Sequence, residues 1–154
     1  MAISFRLNGV VVSADADGDT PLLYVLRNDF GLNSPKFGCG KAQCGSCRVI
    51  LSGEATPSCA IQLLDVSGAD VETLEGIGSL DDLHPLQQAF LAEQAAQCGY
   101  CTAGMIMAAK ALLDVNPSPT DDDIRQALER NLCRCGTYPR IMKAVRRAAL
   151  VMAG

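Results

Sequence analysis

Residues 37–47 read FGCGKAQCGSC, and a fourth cysteine, Cys59, follows after a gap of eleven residues. Three thiols within nine residues (Cys39, Cys44 and Cys47), with a fourth returning from a later loop, is the plant-type [2Fe–2S] spacing. The glycines around them suit it. Gly38, Gly40 and Gly45 let the backbone take positive φ and wrap closely around an inorganic core. The amide N–H groups of such a loop then point at sulfur. Donors aimed at sulfur stabilise the reduced state and set the potential, because four thiolates make even an oxidised cluster an anion. Structural zinc favours paired short knuckles instead, so zinc is the poorer match to this stretch.

A second set lies further on, as Cys98-x2-Cys101 and Cys133-x-Cys135. Spacing alone leaves zinc, [2Fe–2S] and [4Fe–4S] open here. A thioredoxin-like Cys-x-x-Cys would sit beside a βαβ pattern, which is absent. Disulfides would demand an oxidising compartment, and the opening MAISFRLNG carries neither a basic n-region nor an apolar h-region, so no signal peptide is expected. Each half of the chain holds four of the eight cysteines. Each half is also only about 75 residues, a size at which cores are marginal and metal staples common.

Composition excludes several classes. At 154 residues the chain has room for one domain or two small ones, and 49% hydrophobic residues against 19% charged is too apolar for disorder. The net charge of −4 argues against nucleic acid. No apolar run reaches the ~18 residues of a membrane span. The charge is unevenly spread: residues 124–154 hold Arg125, Arg130, Arg134, Arg140, Lys143, Arg146 and Arg147 against Glu129 alone. That stretch is either a solvated helix face or a basic rim at an anion or partner surface.

The first half reads as strands and turns. Ile3, Phe5 and Leu7 alternate with polar residues, and Asn8-Gly9 supplies a hairpin turn into residues 10–12. Thr20-Pro21 looks like an N-cap and first helical position for a helix over 22–29, which Gly31 closes. Residues 48–51 and 70–74 are further strand candidates. The second half reads as four helices: 86–95 behind a His84-Pro85 start, 103–114 capped by Thr102, 124–130 capped by Thr120 with Asp121, Asp122 and Asp123 in its first turn, and a last one from Thr137 to about residue 151. The fold class is therefore α+β, a small sheet domain over 1–76, a connector over 77–82 and a helical bundle over 83–154. No G-x-G-x-x-G stands between a strand and a helix, so no flavin or nicotinamide site is expected in this chain. His84 reads as a helix cap, Met105, Met107, Met142 and Met152 as packing, and Tyr100 as shielding of the cysteine loop.

Taken together, FGCGKAQCGSC, QCGYCTAGM (residues 97–105) and NLCRCGTYPRI (residues 131–141) resemble the small iron–sulfur subunit of the xanthine dehydrogenase/aldehyde oxidase family of molybdenum hydroxylases, over essentially the whole chain. The stretch over residues 89–117 is most similar to the small subunits of nicotinate dehydrogenase and isoquinoline oxidoreductase. The resemblance implies a β-grasp, plant-ferredoxin-like domain followed by a four-helix bundle, each holding a [2Fe–2S] cluster. It implies Cys39, Cys44, Cys47 and Cys59 as ligands of an outer cluster, and Cys98, Cys101, Cys133 and Cys135 as ligands of an inner one. Gln97 and Cys135 are implied to lie near a molybdopterin, expected as the cytosine dinucleotide, held by a large catalytic subunit. Ala103 stands where the family commonly has Pro. The implied role is electron relay from that large partner to an outer acceptor, either a cytochrome or a flavin subunit, with no turnover by this chain alone. A free-standing soluble ferredoxin is the alternative. The expected location is the cytoplasm, or a membrane surface reached through partners, and export with a partner stays open.

Overall fold

The computed structural model describes residues 2–154. Strand β1 (Ala2–Leu7) buries Ile3, Phe5 and Leu7 and exposes the residues between them, as period-2 alternation requires. Asn8 and Gly9 both take positive φ, at 50° and 84°, so the turn has the hand that matches strand twist. It returns the chain antiparallel as β2 (Val10–Asp15), with Leu7 opposite Val10. A helical segment follows, α1 (Leu22–Tyr24) continuing into a π-type turn over Val25–Asp29, and Gly31 closes it at φ 65°. Pro21 sits at the N-cap rather than at the first helical position, because it bridges to Gln62 across the sheet edge.

Beyond the 37–47 loop, β3 (Arg48–Leu51) pairs antiparallel with β4 (Glu54–Pro57). The strand β5 (Asp70–Glu72) lies parallel to β1 and antiparallel to β3. The five-stranded mixed sheet has the order β2-β1-β5-β3-β4. Leu22, Val25 and Leu26 pack with Phe5, Val49, Leu63 and Val66 on one face, forming the first core. Sequence reading missed β4, whose EATP carries no alternation, and the short helix α2 (Leu74–Ile77), which ends where the expected connector begins.

The second half is helical: α3 (Pro85–Ala92), α4 (Thr102–Val115), α5 (Asp121–Ala127) and α6 (Tyr138–Ala153). They share one core, with Leu86, Met105, Ile124, Ile141 and Val145 at its centre. His84 caps α3 by accepting from the Leu86 amide at 3.1 Å, and Thr120 caps α5 in a reciprocal box with Asp123. One cap expectation fails: Thr102 is inside α4, with Cys101 at the N-cap. Thr137 opens α6 as its N-cap residue but makes no cap bond, its hydroxyl lying 3.2 Å from the Cys133 sulfur. Met105 and Met107 are buried, whereas Met152 is exposed.

The two halves meet closely. Lys110 of α4 reaches Glu72 of β5 at 3.3 Å. Gly104, in the first turn of α4, approaches Gly45 so tightly that a Cβ there would lie 2.1 Å from the Gly45 carbonyl oxygen. A Cβ on Gly45 would meet the Arg130 carbonyl at 2.6 Å, and Gly45 itself has φ 79°. Backbone atoms cannot give way as a flexible side-chain end does.

Gly104→Ala is therefore expected to cost about 2 kcal/mol, within the overpacking range. In a chain of this size that lowers Tm by roughly 4–8 °C. Thermal unfolding of the metal-loaded protein measures it, and an unchanged Tm would show that the halves are not held by this contact.

Candidate iron–sulfur sites

The loop before β3 brings Cys39 and Cys44 together. Three amides converge on the Cys39 sulfur, from Lys41 at 3.4 Å, Gln43 at 3.2 Å and Cys44 at 3.4 Å. The Cys39 amide in turn points at the Cys44 sulfur, at 3.4 Å. This arrangement needs the glycines. Gly40 has φ 69°, and a Cβ on Gly38 would sit 2.6 Å from the Cys44 sulfur. The amides, that of Lys41 foremost, hold the Cys39 thiol down at about 6. Cys47, at the end of the loop, is buried, and burial together with the adjacent Cys59 thiol pushes it up to about 11. Cys59 comes from the 3₁₀ turn after β4, where the Ser58 hydroxyl donates to the Cys47 carbonyl at 2.6 Å.

The second set is assembled from two helix ends. Cys98 and Cys101 precede α4, and Cys133 and Cys135 lie between α5 and α6. Burial pushes Cys101 up to about 12, with Cys133 beside it adding to the rise. Burial also raises Cys133, but the Thr137 hydroxyl and amide overcome this and hold it at about 7. Cys98 is lowered, chiefly by the Tyr100 amide. Cys98 and Cys135 are exposed.

Within each set the thiols neighbour one another: Cys39 with Cys44 and Cys47 with Cys59 in the first, and in the second Cys98 with Cys135 and Cys101 with Cys133, Cys98 also lying near Cys101 and Cys133. Among the described residues no three Cys, His, Asp or Glu side chains converge on one point as a single ion would need. All eight cysteines are free thiols. Two thiols per metal, with two metals side by side, is the ligand demand of a dinuclear centre. The donor set fits such a group, and so does the polar surround. Beside the second set, the Thr102 hydroxyl and the Asn131 amide oxygen are buried without a hydrogen-bond partner.

The two sets are also joined. Leu132, next to Cys133, donates its amide to the Cys44 carbonyl at 2.9 Å. The Tyr100 hydroxyl donates to the Phe37 carbonyl, tying the 98–101 loop to the 37–47 loop. A cleft of about 370 Å³ is bordered by Cys44 on one side and Cys98, Cys101 and Cys133 on the other.

Comparison with known proteins agrees with this geometry. Residues 5–74 match the model for a 2Fe-2S iron-sulfur cluster binding domain, and residues 73–146 match that for a [2Fe-2S] binding domain. The chain is 58% identical to one of the subunits of the nicotinate dehydrogenase of Pseudomonas putida, over 96% of this chain and 94% of that protein. It is 49% identical to the alpha subunit of the isoquinoline 1-oxidoreductase of Brevundimonas diminuta, over 96% of this chain and 97% of that one. The chain belongs to the iron–sulfur subunits of the molybdenum hydroxylase family. The aldehyde oxidoreductase of Desulfovibrio desulfuricans superposes with a TM-score of 0.96 at 44% identity; that match covers 99% of this chain but only 17% of the much longer neighbour.

Within this family frame, Gln97 stands exposed beside Cys98, and its side-chain amide has no hydrogen bond among the described residues. Sequence reading missed Tyr138. Its hydroxyl accepts from the Cys133 amide at 2.7 Å and donates to the Asn131 carbonyl at 3.3 Å, bracing the second loop from inside α6. Nothing in NLCRCGTYPRI distinguishes that tyrosine from an ordinary helix-start residue. Removing its hydroxyl by Tyr138→Phe leaves the Cys133 amide unpaired at a cost of about 1–3 kcal/mol. The expected outcome is faster iron release from one of the two centres, by about fivefold or more, followed as visible bleaching after a ferrous chelator is added. Release at the wild-type rate would show that the brace is dispensable.

Proposed function

We propose that this chain is the electron-transfer subunit of a molybdenum hydroxylase, holding two [2Fe–2S] clusters. Cys39, Cys44, Cys47 and Cys59 would bind the outer one; Cys98, Cys101, Cys133 and Cys135 would bind the inner one. The observation that carries the reading is the gathering of the eight thiols into two sets, with Cys44 of the first and Cys98, Cys101 and Cys133 of the second bordering one cleft. A bound cluster accepts and gives up one electron at a time. The chain's own residues supply the rest. The amides at Cys39 stabilise added negative charge, and the Leu132–Cys44 hydrogen bond offers a through-bond link between the sets. The units divide as 1–76 and 83–154 about a connector at 77–82, with the second read as a four-helix bundle.

The exposure of Cys98 and Cys135, with Gln97 beside them, supports a face that docks on the catalytic subunit. The Gln97 amide would hydrogen-bond the partner's molybdopterin, as its cytosine dinucleotide, and Cys135 would give the entry point for electrons. The outer acceptor is then a cytochrome or a flavin subunit. No helix among the described residues is long and apolar enough to cross a membrane. By its relatives' names, the substrate class is an N-heterocycle such as nicotinate or isoquinoline, or an aldehyde. A free-standing ferredoxin is the poorer reading, because a single carrier has no need of a second thiol set tied to the first through the seam between the halves.

Metal and sulfide analysis of native protein should give about four irons and about four acid-labile sulfides per chain; stoichiometric zinc with little iron would refute the assignment. Cys47→Ser should remove one of two paramagnetic signals seen on reduction and leave the helical half folded. Loss of both signals from a folded helical half would show that the sets are not separate.

The isolated chain should hydroxylate nothing. In the complex, substrate without acceptor should bleach the iron–sulfur absorption in stopped flow, and Gln97→Ala should slow that bleaching while substrate still binds. Repeated turnover with an added acceptor while the clusters stay oxidised would exclude the relay.

A further inference from the structure

Helix α6 opens with a threonine whose side chain caps nothing. Thr137 holds the N-cap position, where a threonine hydroxyl ordinarily accepts from an amide of the first turn, yet it makes no such bond. The sequence explains why. Pro139 has no amide to offer, and the Arg140 amide is taken by the Thr137 carbonyl at 3.0 Å. The hydroxyl lies instead 3.2 Å from the Cys133 sulfur, its one hydrogen-bond partner among the described residues. Both residues are buried, at 7% and 9% exposure, so water does not stand in for either group. The neighbouring Tyr138 acts elsewhere: its hydroxyl holds the Cys133 amide and the Asn131 carbonyl, which are backbone groups. Thr137 alone reaches the sulfur from this helix start.

Between a thiol and a hydroxyl, either atom can be the donor. A cysteine that ligates metal is a thiolate and only accepts, so with a cluster in place the Thr137 hydroxyl is the donor. Hydrogen bonds donated to a cluster's sulfurs help set its potential, because they stabilise the negative charge that reduction adds. Cys133 is also the one buried ligand of its set: Cys98 and Cys135 are exposed, and Cys101 is half-buried. A donor at Cys133 therefore acts where water screens it least. We propose that the Thr137 hydroxyl sets the potential of the inner centre by donating to the Cys133 sulfur, and that it favours the reduced form of that cluster. This rests on the assignment of Cys98, Cys101, Cys133 and Cys135 to a [2Fe–2S] centre. Reduction there adds one electron, which comes from the catalytic subunit and leaves to the outer centre; no bond is made or broken, and the hydroxyl keeps its proton. The donor makes the inner centre the readier acceptor of electrons from the catalytic subunit.

The test is a redox titration of the assembled complex, followed by its two paramagnetic signals, the inner one being the signal that survives Cys47→Ser. Thr137→Val keeps nearly the same shape and removes the hydroxyl. It should lower the reduced-to-oxidised ratio of the inner centre at fixed potential by about tenfold, equivalent to about 59 mV for a one-electron couple. The outer midpoint should stay where it is in the wild type. Thr137→Ser, which keeps the hydroxyl and loses the methyl group, should hold the inner midpoint close to that of the wild type. Packing by the methyl group alone predicts the reverse, with serine shifted and valine unmoved, and that result would overturn the proposal. So would an unmoved inner midpoint in Thr137→Val while both signals are present. Should Thr137→Val lose the inner signal, Thr137→Ala decides: a shift in the same direction supports the donor, and a wild-type midpoint refutes it. Loss of the inner signal from both would show that the hydroxyl holds the cluster rather than tunes it, which also refutes the proposal. A wild-type complex with no [2Fe–2S] signal would instead overturn the cysteine assignment beneath it.

Discussion

The backbone contact between Gly45 and Gly104 governs how the rest of the molecule is arranged. Gly45 lies between two thiols of the first set, and Gly104 lies one turn into the helix that starts at the second. Neither tolerates a Cβ, because the opposing atoms are backbone carbonyls. The two cysteine loops thus approach at main-chain distance, which no pair of ordinary side chains would allow. Asn131 fills the same seam, donating to the Gly45 carbonyl at 3.4 Å. Because electron tunnelling weakens steeply with separation, closeness fixed by main-chain packing serves a relay better than closeness that depends on mobile side chains.

The thiols show how a protein prepares a site for a group that binds thiolates. Each set contains one sulfur that is easily ionised, Cys39 or Cys133, and one that burial holds protonated, Cys47 or Cys101. The easily ionised members are solvated by amides, as at Cys39, or by the Thr137 hydroxyl and amide, as at Cys133. A metal ion that displaces the remaining protons couples binding to folding and to proton release. Small halves with limited cores gain most from that coupling, so the sites act as structure as well as chemistry.

The cysteine spacing, the β1–β2 hairpin and the four C-terminal helices were legible because each has a short-range cause: thiol spacing, a two-residue turn, and period-3.6 burial behind a cap. What stayed hidden has a tertiary cause. Thr102 and Thr137 carry the residue type of a cap, yet one follows Cys101 into the helix and the other turns to Cys133, because the cysteine sites outrank the caps locally. Pro21 was displaced by one position through its bridge to Gln62. Strand β4 has no pattern of its own and exists as the partner of β3. Tyr138 and Leu132 looked ordinary in the sequence, since what marks them is the atom they face: the Cys133 amide for one and the Cys44 carbonyl for the other.

Electrostatics then separates the two ends of the relay. The second set opens to the surface at Cys98 and Cys135. The first set is surrounded by its own chain: three amides point at the Cys39 sulfur, and the Cys39 amide points at the Cys44 sulfur. Amide dipoles favour the more negative oxidation state of a group bound there, and they act more strongly where protein has replaced water. The two sets are alike in holding four thiols each, so what distinguishes them lies in their surroundings.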